Sequence, residues 1–333
     1  MRVLVTGANG FMGAWLARRL SERGDRVRCL VRRSADRTSL QGLDVEYAEG
    51  DVTDPASLER AVAGVDAVLH LAGIRRAPER QSFMRVNAEG TRNVCEAMVR
   101  AGGRRRLVLC GSLAAMGPST PERPHVEDDP FSPSEWYGES KAEAERIAFS
   151  YRDRLSVTVA RPPRILGPGD RENLPFFKLG NAGIRLAIGG GPRPLSLVDV
   201  EDVVDFLVLA LEHPAADGEA FFVTSPEVMT FEALQDAGAR ALGRRTRTLP
   251  LSPLVLRALA SGADVVSRTT GRHLPLNRKL ARQLLAPAWT CSGEKAARLL
   301  GFHAARGLQA SVERSVAWYR AKDWLRGRGA EAT

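Results

Sequence analysis

The sequence predicts an α/β protein, a doubly wound parallel sheet followed by a smaller C-terminal lobe. Short apolar runs of strand length alternate with helical patterns through the first half of the chain, which is typical of βαβ units. Glycines follow the first of these runs directly, at the start of a helical segment. After about residue 163 the alternation loosens, and residues 164–194 are rich in Gly and Pro.

Composition and charge are those of a globular protein. The 333 residues are 44% hydrophobic and 26% charged, enough for one large core or two lobes. The net charge of +9 rests mainly on scattered arginines, which favours a solvated basic surface over a nucleic-acid site. No apolar run approaches the ~20 residues that span a bilayer, so we expect no integral membrane segment. The first run is too short for a signal peptide.

The cysteine pattern indicates thiols without a metal. Cys29, Cys95, Cys110 and Cys291 form no C-x-x-C pair, and two of them lie within apolar runs of strand type. We therefore expect reduced thiols in the core, no metal site and a cytoplasmic protein.

The glycines after the first apolar run predict phosphate binding. Gly7 allows a tight turn, Gly10 lets a pyrophosphate approach the backbone, and Gly13 lets helix and strand pack closely. The following helix start offers N–H groups and a partial positive charge to an anion. We predict a dinucleotide site of the Rossmann type. The alternative is an ordinary βα turn in which the glycines set only the geometry.

The second predicted strand, residues 25–31, ends in Arg32, Arg33 and Ser34. In a dinucleotide fold the end of this strand meets the adenosine ribose, where a carboxylate would repel a 2′-phosphate. Arginine instead forks onto a phosphate, so the sequence favours NADP(H) over NAD(H). The alternative is that these arginines face solvent or stack on adenine.

The third and fourth predicted strands add further groups at the same edge. Asp51 follows strand Val45–Glu49, where its carboxylate can accept from the adenine amino group. Strand 67–71 is followed by a small pair, residues 72–73, that lets the backbone lie against a ligand. We interpret His70 as a packed residue at a strand end and not as a catalyst.

The next segment brings in groups for proton transfer. Ser112 follows strand Arg106–Cys110, at the sheet edge where open α/β folds bind ligands. A helix over residues 133–151 would place Tyr137 and Lys141 on one face, about one turn apart. A lysine ammonium beside a phenol favours the phenolate, so this tyrosine can exchange a proton with an alcohol or ketone oxygen. Ser112 can hydrogen-bond the same oxygen, and Lys141 can hold the nicotinamide ribose.

At this point the chain resembles the extended short-chain dehydrogenase/reductase family. The ordered motifs span essentially the whole chain. They are TGANGFMG (6–13), GDVTD (50–54), HLAG (70–73), NAEGT (87–91), GSLAAMG (111–117), YGESK (137–141), RPPRILGPGD (161–170) and LSLVDVEDVV (195–204).

The resemblance implies catalysis by Ser112, Tyr137 and Lys141, with a structural or proton-relay part for Asn87. The residues expected to contact the cofactor are Gly7, Asn9, Gly10, Phe11, Met12, Gly13, Arg32, Arg33, Asp51, Val52, Leu71, Ala72, Gly73, Asn87, Tyr137, Lys141 and Pro162. We expect residues 1–163 with 196–224 to form the dinucleotide-binding domain. Residues 164–195 with 225–330 would form the substrate-binding lobe. A homodimer is expected by analogy alone.

The substrate is the least determined feature. Residues 253–266 are mostly apolar, either a lid packed on the lobe or a surface that meets a lipid-like substrate. Residues 167–177 and this apolar segment favour a hydroxysteroid dehydrogenase-like or flavonol reductase-like enzyme that interconverts a ketone and an alcohol once. The alternative is a nucleotide-sugar epimerase or dehydratase that keeps NAD(H) bound, with contacts at residues 173–175 and Arg193. A third interpretation is a non-catalytic NADP(H)-binding sensor.

Overall fold

The computed structural model describes residues 1–189, 191–270 and 276–325. Its strands are β1 (Arg2–Thr6), β2 (Arg26–Val31), β3 (Val45–Glu49), β4 (Ala67–His70), β5 (Arg106–Cys110), β6 (Ser156–Arg161), β7 (Arg164–Leu166), β8 (Ile184–Ile188), β9 (Pro194–Asp199), β10 (Ala220–Phe222), β11 (Val228–Thr230) and β12 (Arg247–Leu251). Its helices are α1 (Phe11–Glu22), α2 (Pro55–Val62), α3 (Arg80–Phe83), α4 (Gly90–Arg100), α5 (Trp136–Phe149), α6 (Leu174–Asn181), α7 (Val200–Glu212), α8 (Phe231–Ala241), α9 (Pro253–Thr270), α10 (Arg278–Leu285), α11 (Glu294–Leu300) and α12 (Leu308–Ala321).

The central sheet confirms the predicted fold class. In the described ranges seven strands lie in the order β10-β6-β5-β4-β1-β2-β3, and all of these neighbours are parallel. The chain order reverses between β1 and β4, which creates a crevice at the carboxyl ends of these two strands. The predicted dinucleotide site lies at this crevice.

Alternate side chains of the strands feed two apolar layers. Val3 and Val5 pack with α1 and α7 on one face of the sheet, whereas Leu4 packs with α2, α4 and α5 on the other. All three side chains are fully buried. Burial on both faces explains why the inner strands, such as β1, β4 and β5, read as continuous apolar runs without alternation.

The C-terminal lobe contains two small sheets and the later helices. One sheet has the order β11-β9-β7, and the other pairs β12 with β8. Helix α7 begins at Val200, because the Asp199 side chain caps it by accepting from the amide of Glu201. Residues 194–199 before the cap form a strand of the lobe.

Ion pairs attach the last described segment to α7. Arg314 pairs with Asp199 and Glu201, and Arg306 pairs with Asp202 at 2.6 Å. Asp199 and Asp202 are almost fully buried, so each needs a cationic partner. These contacts hold α12 and the residues just before it against the start of α7.

Candidate active site

The glycine turn after β1 brings backbone atoms into close contact. Gly7 has a φ of +70°, and a Cβ there would lie 2.8 Å from the amide nitrogen of Ala72. A Cβ on Gly13 would lie 2.1 Å from the carbonyl oxygen of Gly7. Helix α1 begins at Phe11 with no side-chain cap and no acidic residue in its first turn. This helix start therefore fits the pyrophosphate of a dinucleotide.

The end of β2 carries two exposed arginines beside a shallow depression. The side chain of Arg33 is 91% exposed, and its Nε lies 3.9 Å from Glu49 Oε1. The depression has a volume of about 240 Å³ and is lined by Arg32, Arg33, Glu49, Gly50, Asp51, Asp54, Ser57 and Arg60. Asp51 Oδ1 accepts from the amide and the hydroxyl of Thr53, both at 2.8 Å, which fixes this carboxylate at the depression.

Other residues predicted to contact the cofactor lie in the loops that follow β1, β3, β4 and β6 or in the first turn of α1. They are Asn9, Phe11, Met12, Val52, Leu71, Ala72, Gly73 and Pro162. Asn9 Nδ2 donates to the carbonyl of Asp36 at 3.1 Å, and Leu113 N donates to the carbonyl of Pro162 at 3.0 Å. Because these strands are parallel, all of these loops lie at the same edge of the sheet.

His70 is the centre of a buried hydrogen-bond chain and not an open acid or base. Ala72 N donates to Thr6 Oγ1 at 3.1 Å, and this hydroxyl lies 2.7 Å from His70 Nδ1. On the other side, His70 Nε2 lies 3.1 Å from Thr91 Oγ1, which donates to the Asn87 carbonyl. The two hydroxyls thus make Nδ1 an acceptor and Nε2 a donor, which is the neutral imidazole.

Burial, with a smaller contribution from the Lys141 ammonium, lowers the pKa of His70 to about 3. The same two influences act in opposite directions on the neighbouring thiol of Cys110. Burial raises its pKa, and Lys141 partly offsets that rise. The ammonium of Lys141 therefore lies close to the carboxyl ends of β4 and β5.

Asn87 lies in a π-helical turn, Met84–Glu89, that joins α3 to α4. Its Oδ1 accepts from Ile74 N at 2.8 Å, while its Nδ2 donates to Ile74 O at 3.0 Å and to Ser140 Oγ at 2.9 Å. Asn87 is 1% exposed. These contacts tie the loop after β4 to helix α5, which supports the structural interpretation of this residue.

The three predicted catalytic residues lie on two neighbouring elements. Ser112 caps the short turn Leu113–Ala115, and its Oγ accepts from Ala114 N at 3.1 Å, which leaves its hydroxyl hydrogen to be donated elsewhere. Tyr137 and Lys141 lie on α5, and Lys141 donates to the carbonyl of Cys110 at the end of β5. Lys141 is 6% exposed, so its orientation is fixed by packing.

Gly138 brings these two elements together. A Cβ at this position would lie only 2.2 Å from the carbonyl oxygen of Ala114. The first turn of α5 therefore lies directly against the turn that Ser112 caps. The predicted helix over residues 133–151 is shorter in the structure, because Glu135 is extended and the helix begins at Trp136.

The structure adds Arg75, which the sequence interpretation did not select. Its guanidinium lies 5.7 Å from the centre of the Tyr137 ring. Burial alone would lower the pKa of Arg75, but the net shift is upward because the Tyr137 side chain and the carboxyl groups of Glu172, Asp170 and Glu135 lie near it. The sequence signal that could have identified Arg75 was its position two residues after the motif at residues 70–73. A cation other than the predicted Lys141 thus lies beside the Tyr137 ring.

Asn173 and Arg193, which a nucleotide-sugar enzyme would use to contact its substrate, form hydrogen bonds within the lobe instead. Asn173 is fully buried, and its Nδ2 donates to Asp170 Oδ2 at 2.6 Å. Arg193 is 8% exposed and donates to the carbonyls of Ile188 and Gly189 at 2.9 and 2.7 Å. Both side chains are therefore engaged in holding loops of the lobe.

The four cysteines are free and buried, as predicted. Cys291 packs with Leu113, Met116 and Phe222, and burial raises its pKa to about 12. Its thiol is unreactive and contributes apolar packing beside the turn that Ser112 caps.

The fold and this site define an NAD(P)-dependent oxidoreductase of the extended short-chain dehydrogenase/reductase type. The chain belongs to the NAD dependent epimerase/dehydratase family, whose model matches residues 3–223. Relatives of this chain are named both as reductases and as epimerases.

Two curated relatives and one solved structure span nearly the whole chain. The chain is similar to "Ceramide reductase" of Caulobacter vibrioides, with 31% identity, 97% of this chain and 96% of the relative being covered. It is similar to "2-alkyl-3-oxoalkanoate reductase" of Stenotrophomonas maltophilia, with 32% identity over 91% of this chain and 94% of the relative. The solved structure of gox2253 is 29% identical, covers 97% of this chain and 99% of its own, and has a TM-score of 0.82.

Proposed function

We propose that this protein interconverts a ketone and a secondary alcohol on a hydrophobic, lipid-like substrate, with NADP(H) as cofactor. The observation that carries the proposal is the close packing of the α5 turn with Tyr137 and Lys141 against the turn capped by Ser112. This arrangement lies at the crevice that the glycine turn borders. The names of the two reductase relatives support a lipid-like ketone.

The nicotinamide cofactor, when bound, supplies or accepts the hydride. Tyr137 then gives a proton to, or takes it from, the substrate oxygen. Ser112 donates a hydrogen bond to the same oxygen, using the hydroxyl hydrogen that the capped turn leaves available. The positive charges of Lys141 and Arg75 stabilise negative charge on the phenol oxygen during the transfer.

Replacing the tyrosine tests the acid/base assignment. Tyr137→Phe should lower turnover by about 10²–10⁴-fold and leave NADPH binding nearly unchanged, because only the hydroxyl is lost. Oxidation of NADPH in the presence of long-chain 3-oxo esters and ketosteroids measures turnover, with Tyr47→Phe on β3 as a matched control. Full activity of Tyr137→Phe would contradict the assignment.

The choice of cofactor rests on Arg32 and Arg33. Both are exposed at the carboxyl end of β2, where they line the depression next to Asp51. Losing their charge-assisted hydrogen bonds to a 2′-phosphate should weaken NADPH binding by about 10- to 100-fold and leave NADH binding unchanged. Fluorescence titration of Arg32→Ala and Arg33→Ala measures this effect, with the exposed Arg26→Ala at the opposite end of the strand as control. A clear preference of the unaltered protein for NADH would reverse the proposal.

The engaged side chains of Asn173 and Arg193 favour a single redox step over epimerisation of a nucleotide sugar. Incubation with UDP- or dTDP-sugars should give no epimerised product. Epimerisation without net change of the cofactor would establish the alternative. Cofactor binding without turnover on any ketone, alcohol or nucleotide sugar would instead favour the sensor.

A further inference from the structure

Helix α9 is apolar on two faces. Its inner face packs on the lobe, where Leu256 and Ala260 are buried with Phe176 and Phe231. Its outer face is exposed, and Leu254 reaches 75% exposure, the highest of the exposed large hydrophobic residues in the described part of the chain. The exposed apolar positions are Leu254, Val255, Ala258, Leu259, Gly262, Val265 and Val266.

These positions are separated by one or three residues, so they form one continuous stripe along the helix. Val265 is 56% exposed, Leu259 is 52% exposed, and Leu249 on the preceding strand β12 is 51% exposed. A stripe of this length is far larger than the single apolar residues that normally occur on a surface. We call this stripe together with Leu249 the outer apolar face.

The positive charge of the protein is concentrated in the same segment. Residues 240–282 contain ten arginines and lysines but one acidic residue, Asp264, so their net charge of +9 equals that of the whole chain. The rest of the chain is therefore balanced in charge. Arginines thus occur throughout the chain, as the composition suggested. The excess of basic over acidic residues, however, lies within residues 240–282.

Exposed arginines lie on the segments that precede and follow α9 in the chain. Arg245 and Arg247 are exposed just before and at the start of β12, which leads directly into α9. Arg278 donates to Ser261 Oγ at 3.1 Å, and Arg282 is exposed one turn further along α10. An apolar stripe bordered by arginines matches an anionic bilayer, whose headgroups meet the cations while its acyl chains receive the apolar side chains.

We propose that the outer apolar face of α9 docks on the surface of a membrane that contains anionic phospholipids. The helix lies on the bilayer and does not cross it, since no helix of the described ranges is long and apolar enough to span one. The exposed leucines and valines favour a bilayer over a nucleic acid, which would need the arginines but not the apolar stripe.

The lobe that carries this surface adjoins the candidate active site. Gln283 on α10 donates to Glu135 Oε1 at 2.9 Å, two residues before Tyr137. The inner face of α9 covers Phe176 and Phe231, whose rings lie 5.6 and 5.5 Å from the guanidinium of Arg164, the first residue of β7. Docking thus places the lobe, and with it the crevice, next to the pool of lipid-like molecules.

Vesicle binding by the full chain tests the proposal without any assay of turnover. The protein should cosediment with phosphatidylcholine vesicles that contain phosphatidylglycerol, and only weakly with phosphatidylcholine alone. Binding should fall steeply at ~1 M salt, where the Debye length is about 3 Å. Leu254→Glu with Leu259→Glu, and separately Arg245→Glu with Arg247→Glu, should each weaken binding by about tenfold or more.

Matched variants separate docking from general effects of charge. Val228→Glu, at a 52% exposed position on β11, and Arg18→Glu with Arg26→Glu on the main domain should bind vesicles normally. All variants should keep NADPH binding, which reports an intact fold. Absence of binding to anionic vesicles, or equal losses in the control variants, would overturn the proposal. So would a dimer that Leu254→Glu dissociates, or random-sequence RNA that displaces the vesicles.

Discussion

His70 is a buried imidazole that stays neutral because its surroundings offer it one donor and one acceptor. Thr6 donates to Nδ1, Thr91 accepts from Nε2, and burial disfavours the imidazolium. The folded pKa of about 3 lies below the ordinary value of 6.5. Its place next to Lys141 therefore contributes shape and hydrogen bonds to the site, but no titration near neutral pH.

This difference in pKa predicts how stability depends on pH. Between about pH 6.5 and pH 3 the unfolded chain binds a proton at His70 that the folded chain does not bind. The free energy of unfolding should therefore fall as pH drops through this window, by up to about 1.4 kcal/mol per pH unit from this residue. Urea unfolding at several pH values should show a shallower fall for His70→Gln than for the control His303→Gln, which changes an exposed histidine. Identical slopes would contradict the buried neutral state.

Gly138 gives a second prediction at the scale of a residue. A Cβ on Gly138 would overlap the Ala114 carbonyl at 2.2 Å, so Gly138→Ala must push α5 away from the turn that Ser112 caps. A shift of this kind should reduce kcat by about 100-fold, because catalytic groups tolerate little displacement. Gly262→Ala on α9 is the control, since a Cβ there meets nothing within 4 Å. Unchanged kcat in Gly138→Ala would show that this close approach is not needed.

At the scale of elements, helix α5 is anchored to β6 by a buried ion pair. Arg161 and Glu145 are 5% and 1% exposed, and Arg161 Nε lies 3.0 Å from Glu145 Oε2. Arg161 also donates to the carbonyl of Glu127 at 2.8 Å. The pair fixes the position of the helix that carries Tyr137 and Lys141. Neither Arg161 nor Glu145 is itself a predicted catalytic or cofactor-binding residue.

Breaking this pair should be costly because one charge would remain buried. Glu145→Gln should lower the free energy of unfolding by about 3–5 kcal/mol, as expected for an orphaned buried partner. Glu59→Gln is the matched control, because its bond to Arg100 lies at the surface with both side chains 53% exposed, and it should cost less than about 1 kcal/mol. Urea unfolding measures both values. Similar small losses for the two variants would show that the anchor is dispensable.

At the scale of the whole molecule, the site joins the segments that follow six parallel strands, β1 to β6, with two helices and the lobe. A cofactor that binds only the folded protein therefore stabilises all of these parts together. NADPH at about 100 times its Kd should add about 2.7 kcal/mol, which raises Tm by several degrees. UDP-glucose should leave Tm unchanged. A shift with UDP-glucose but not with NADPH would favour the nucleotide-sugar enzyme.

The sequence alone was sufficient for the parts of the fold whose signal is local. Strands β1, β4, β5 and β6 were predicted because they are mostly apolar and buried on both faces, and the glycine turn was predicted because its glycines follow a strand and open a helical segment. The spacing of Tyr137 and Lys141 placed them on one helical face. The short strands of the lobe escaped prediction, since three- to six-residue strands with mixed polarity carry almost no periodic signal.

What only the tertiary structure decided depends on partners that are distant in the chain. The π-helical turn at Asn87, the neutral tautomer of His70 and the cation beside Tyr137 are set by contacts across 13 to more than 60 residues of sequence. The outer apolar face of α9 was also decided by the tertiary structure. The sequence shows that the helix is mostly apolar, but only packing shows which of its faces is buried. By itself the sequence determined the class of fold and the family of the chain, and it predicted the chemistry at the crevice. The three-dimensional packing decided how those groups are oriented and which surface remains exposed.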